Sequence, residues 1–221
     1  MLLLSTTPLA APPFMTFGQP FGSRFGYQIR AADTPEGKER VRAFYEALGR
    51  FVAMYARAES SMHSALCYYA KPPDGISKAL FSGVRVRQAT DFIRRIMEVT
   101  GADKSAINEF TEYSAQLSAI TTARDAILHH GAQSVAEGRG FVSDEARAHL
   151  PCKVRTFPIS QQIRHDMTED LRKIGMYLVT KHTGHPMRST TNRQRINDLL
   201  TAPWRYKHQP SSERKPRNPG T

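Results

Sequence analysis

The stretch "ARDAILHHG", Ala123 to Gly131, closes a long run of helical periodicity, and its reading decides the fold. Upstream of it Ile107, Phe110, Leu117 and Ile120 recur at helical spacing, and Ile127 continues the stripe. About 105–130 is therefore predicted to form one amphipathic helix, with Gly131 suited to end it in a left-handed conformation. Arg124 breaks the pattern. It stands four residues after Ile120 and three before Ile127, where an apolar side chain belongs.

Working outward, three more helices emerge. "DTPEG" supplies acids and a proline to the first turn of a helix from Thr34. Val41, Phe44, Tyr45, Leu48, Phe51, Val52, Tyr55, Met62, Leu66 and Tyr69 form its apolar face, and "KPPDG" ends it. A second helical region covers about 76–100, with Gly83 placed to break it. After the 131 turn, "FVSDEARAHL" and "CKVRTFPI" read as a small β-hairpin or irregular excursion. Ser160 then caps a helix whose stripe is Ile163, Met167, Leu171, Ile174 and Leu178, and "TGHP" closes it. The expected fold is all-α: an antiparallel four-helix, up-and-down bundle with that insertion before the last long helix. Three regions follow: a flexible N-terminal arm over 1–32, the bundle over 33–186, and a basic tail over 187–221. That tail is expected to be largely disordered, apart from a short helix near Asn192–Leu200.

The chain of 221 residues carries a formal net charge of +11, which favours a polyanionic partner. Much of the excess sits in the tail, where residues 187–221 hold eight Lys or Arg against two acids. Cys67 and Cys152 form no disulfide framework and lack zinc-ligand spacing. Leu2–Leu4 is too short for a signal peptide and lacks a preceding basic residue. No stretch approaches a membrane span, so a cytoplasmic location with no membrane partner is expected. His149, His165, His182 and His185 share no metal-binding spacing, and no glycine-rich phosphate loop occurs, so neither a metal nor a cofactor is expected.

The first helix carries a matching anomaly. Leu48, Val52, Tyr55, Met62 and Leu66 share a line, and Glu59 falls inside it. A carboxylate is costly to bury unpaired. Two helices of one bundle thus each place one charge inward, with opposite signs, and the economical inference is that Glu59 and Arg124 meet. Such a pair is either a structural register pin or part of a site.

Arg124, Asp125, three further residues and His129 give the pattern Arg-polar-x-x-x-His. This resembles the HEPN family of all-helical domains, whose signature is an arginine followed after four to six residues by a histidine. The likeness covers the motif "RDAILH", the helix order, the inward glutamate and the last helix after an insertion, over roughly 34–182. It implies metal-independent RNA cleavage by a homodimer whose motif helices border one cleft. Arg124 would bind the scissile phosphate, and His129 would transfer protons, with His130 as the alternative histidine. Asp125 would orient either group, and Glu59 would hold Arg124. A histidine titrates near neutrality, as general acid–base work requires. The resemblance also implies a toxin or phage-defence role and a nucleotidyltransferase-type antitoxin as a regulator. Gly131 (or Ala132, counted from His130) stands where some members carry the tyrosine that such antitoxins modify, so the chain departs from the family pattern at that position.

On a straight helix Arg124 and His129 point about 140° apart, and His130 about 120° away on the other side, so the long arginine stem, fraying before Gly131 or a second subunit must close the gap. The competing reading is a catalytically inactive bundle that binds RNA or a partner protein. Weaker candidates are a Glu59–His63 pair, a backbone-tracking row of Arg85, Arg87, Arg94 and Arg95, and a mixed aromatic–basic patch at Trp204–Lys207. Each has a bland counterpart: a core or surface histidine, a solvated helix face, and Trp204 docked on its own bundle.

Overall fold

The fold was read from a computed structural model that describes residues 34–73, 75–130, 132–134, 140–143, 155–183, 190–207 and 212–213. The N-terminal arm, Gly131 and the last eight residues lie outside these. The fold is helical with a small sheet. Helix α1 spans Pro35–Ala70, α2 Ser77–Phe81, α3 Val86–Val99 and α4 Lys104–His130. Strands β1 (Ala132–Ser134), β2 (Gly140–Ser143) and β3 (Arg155–Pro158) follow. Then come α5 (Gln161–His182), α6 (Thr190–Thr201) and β4 (Ser212–Glu213).

Local chemistry explains the boundaries. Thr34 accepts a hydrogen bond from the Gly37 N–H at 3.0 Å, and Pro35 opens α1 where no donor is needed. Lys71 takes the left-handed conformation at φ 44° and donates back to the Cys67 carbonyl, and two prolines then bar continuation. Gly83, at φ +79°, separates α2 from α3, so the second helical region is broken at the position its sequence suggests. Ser160 caps α5 through the Ile163 N–H.

Phe51, Tyr55, Ala58, Met62, Ala65 and Leu66 are the buried face of α1. They pack with Val86, Ala89, Ile93 and Met97 of α3, Phe110, Leu117, Ile120 and Ile127 of α4, and Met167, Leu171, Ile174 and Tyr177 of α5. α1 makes its most extensive contact with α5 and its next with α3, while α4 packs on α3 and α5.

The helix senses differ from an up-and-down bundle. Phe44 meets Arg164, Ser61 faces Gly175 and Tyr69 bonds His182, so α1 and α5 run in the same direction. Gln116 meets Asp170, Tyr113 stacks on Tyr177 and Phe110 meets His182, so α4 runs against α5. In an up-and-down bundle the first and fourth long helices oppose each other. α1 therefore runs against α4, and the departure from the up-and-down order arises between α1 and α4, where the short α2 and α3 stand; the long connection between α4 and α5 begins and ends at one end of the molecule, as in an up-and-down bundle. That connection supplies β1–β3, and β4 joins them; the antiparallel order is β1-β2-β3-β4.

The tail also departs from expectation. Ala202–Lys207 lies on α4 and α5 instead of being disordered. The buried Asp170 carboxylate accepts from the Arg205 and Tyr206 backbone N–H groups and from Gln116 Nε2. The buried Lys173 ammonium donates to the Ala202 carbonyl and sits 3.9 Å from the Trp204 ring centroid. Trp204 Nε1 donates to Glu112, Tyr113 donates to the Leu200 carbonyl, and Gln116 donates to the Tyr206 carbonyl. We term this segment the C-terminal strap.

His182 lies among Tyr69, Phe110 and Tyr177, 3% exposed, with Nδ1 bonded to the Tyr69 hydroxyl at 2.7 Å and Nε2 without a partner among the described residues. Burial foremost, then the neighbouring Lys181, depresses its pKa from 6.5 to about 4. The unfolded chain therefore takes up the extra proton between those values. Stability is expected to be level above pH 6.5 and to fall by up to about 3 kcal/mol as pH drops to 4. Denaturant midpoints across that range should show a steeper slope for the wild type than for His182→Gln; equal slopes would contradict this.

Candidate functional site

The site is built where the α4 stripe reaches Arg124. Ile120 and Ile127 are buried on either side, yet the Arg124 side chain keeps 33% of its exposure. Its Nη1 donates to Asp125 Oδ1 at 2.7 Å. Its guanidinium carbon lies 4.9 Å from the centroid of the Tyr55 ring on α1. The Asp125 hydrogen bond is the largest influence on the arginine's pKa and raises it; partial burial opposes the rise, and Glu59 contributes the smallest increment. The cation is thus permanent, and it is oriented from the edge by a carboxylate and from the face by a ring.

Glu59 does not tether Arg124. Among the described residues no ion pair joins them, and the carboxylate acts only through space. The reason lies in the α1 register. The line of burial runs through Phe51, Tyr55, Ala58 and Met62, with Ala58 at 0% exposure, while Val52 is 39% exposed. Glu59 is about 100° round from Ala58 and sits half-buried on the shoulder. It needs no partner there, because water reaches it.

His129 is exposed on the last turn of α4. The side chain of His130 lies outside the described residues. Arg124 and Asp125 are therefore brought together, with Tyr55 and Glu59 beside them, and His129 stands one turn on. The remaining candidates separate. His63 donates through Nε2 to the Val84 carbonyl at 2.7 Å and ties α1 to the start of α3, away from Glu59 as a partner. Arg85 and Arg87 are exposed, Arg94 pairs with Glu98, and Arg95 is exposed. Trp204 is docked on its own bundle, with the Lys173 ammonium over its ring and Tyr113 edge-on to it. No cluster of three His, Cys, Asp or Glu suited to a metal occurs among the described residues.

Tyr55 is the residue that sequence reasoning missed as a site component. In the sequence it reads as one member of an apolar stripe. Its position four residues before Glu59 is the available signal, since side chains four apart on a helix are neighbours.

No family model matches the chain, and no curated protein or solved structure is similar to it. No helix among the described residues is long and apolar enough to cross a membrane.

Proposed function

We propose that the chain is a metal-independent endoribonuclease of the HEPN type that acts as a homodimer. The observation that carries this reading is Arg124 itself: a partly exposed guanidinium, oriented by Asp125 and Tyr55, one turn before an exposed histidine. Fixed cations aimed at developing charge are the main resource of phosphoryl-group chemistry without a metal. Arg124 binds the scissile phosphate. His129 takes the proton of the RNA 2′-hydroxyl or gives one to the leaving oxygen, with His130 the alternative. The 2′-oxygen attacks phosphorus, the bond to the 5′-oxygen breaks, and the products are a 2′,3′-cyclic phosphate and a 5′-hydroxyl. Asp125 orients the arginine, and Glu59 supports its charge from the shoulder of α1. The second copy brings its own motif helix to the cleft and closes the angle between Arg124 and the acting histidine. A cytoplasmic toxin or phage-defence role, held in check by an antitoxin-type regulator, belongs to the same proposal.

One observation favours the competing reading of an inactive bundle that binds RNA or a partner protein. Asp125 already occupies one edge of the guanidinium, and His129 diverges from it around the helix axis. Incubation of end-labelled RNA with the purified chain in EDTA separates the two. Cleavage with cyclic-phosphate ends is expected from the wild type, and His129→Ala should slow it at least about 10²-fold. RNA binding without cleavage in the wild type would favour the inactive bundle.

A further inference from the structure

We propose that Tyr55 is a positioning residue that locks the Arg124 guanidinium in one orientation through a clamp spanning α1 and α4. The Tyr55 side chain crosses from α1 to α4, where its hydroxyl meets Thr121 Oγ1 at 3.1 Å. Thr121 commits its only proton to the Leu117 carbonyl at 2.8 Å. The threonine oxygen therefore accepts and the tyrosine donates. This bond fixes the ring one turn before Arg124, and the ring is 4% exposed, so it has no freedom to swing. The guanidinium then rests over a fixed aromatic face, within the distance at which the ring attracts a cation. Asp125 takes Nη1, and among the described residues no other hydrogen bond engages the guanidinium. The N–H groups that remain are thus presented under two restraints, the bond to Asp125 and the contact with the Tyr55 ring.

The use of that edge for a phosphate rests on the ribonuclease reading, but the clamp does not. Its test is therefore the mobility of Arg124 itself. Side-chain NMR of the full chain, with the Arg124 signals assigned through Arg124→Lys, should show ring-shifted δ protons and slow rotation about the Nε–Cζ bond. Tyr55→Leu should abolish the ring shift and speed that rotation. Thr121→Val keeps the ring and removes only its anchor, so it should speed the rotation while the fold is retained. Phe51→Leu, another buried aromatic on α1, should lower the melting temperature and leave Arg124 unchanged. In the cleavage assay Tyr55→Leu should reduce kcat about tenfold with little change in KM.

Unchanged Arg124 signals and rotation in both Tyr55→Leu and Thr121→Val would overturn the clamp. If Tyr55→Leu does not fold, Thr121→Val decides alone. A wild type that shows the restrained arginine but cleaves no RNA supports the clamp and removes the ribonuclease reading instead.

Discussion

A chain ending at Thr201 is expected to melt about 10 °C below the full-length protein, and Asp170→Ala in the full chain should reproduce a large part of that loss. The C-terminal strap is held by two buried charges on α5, and both are satisfied by its main chain. Asp170 receives the Arg205 and Tyr206 N–H groups, and Lys173 donates to the Ala202 carbonyl. Charge-assisted bonds of this kind contribute about 1.5–3 kcal/mol each, and burying the Tyr206 ring adds roughly 2 kcal/mol. Ordering six residues costs much of that gain, which leaves a net of a few kcal/mol. Asp170→Ala leaves two strap N–H groups without an acceptor and should cost about 3 kcal/mol. In the truncated chain the same substitution should cost less, because the two strap N–H groups it orphans are gone and Gln116 Nε2 alone loses its acceptor. Additive losses in thermal melts of the four proteins would show that Asp170 stabilises α5 by some other route.

Arg124→Ala is expected to reduce RNA cleavage by at least about 10²–10³-fold while lowering stability by no more than about 1 kcal/mol. The stability side follows from geometry. The partner of Arg124 is the adjacent Asp125, whose side chain is 47% exposed, and a half-solvated pair of neighbours contributes little to folding. Had Glu59 been buried and paired with Arg124, the same substitution would have stranded a carboxylate in the core. Because Glu59 sits on the shoulder of α1, that penalty is absent. Arg124→Lys should recover stability but little cleavage, since an ammonium does not fork to two phosphate oxygens. Full cleavage by Arg124→Ala would remove the proposed function.

Much of the helical framework was legible because its signals are local. Thr34, Pro35 and Ser160 mark helix starts by their own hydrogen-bonding capacity, and Gly83 marks a break by its freedom at positive φ. The composition of the site was legible only in part. Spacing placed Arg124 and Asp125, but the rotation of α1 about its axis decides whether Ala58 or Glu59 faces inward, and one step of about 100° changes the partner. That rotation is set by packing against α3 and α5, which no local signal reports. The strap was hidden for a related reason. Asp170 and Lys173 look like surface charges in "EDLRK", and only the Ile163–Asp170–Lys173–Tyr177 line of α5 hints at a second buried face. Arg164, 2% exposed beneath Phe44, carried no such hint at all.

The same-direction pairing of α1 with α5 bears on how the protein is born. The first long helix leaves the ribosome with its main docking partner still about a hundred residues from synthesis, and no early neighbour covers that whole face. Closing so large a loop is slow, and an uncovered apolar stripe on a nascent chain attracts other chains. Emergence of α5, rather than of any earlier helix, is the step at which the exposed stripe of α1 first gains its main cover.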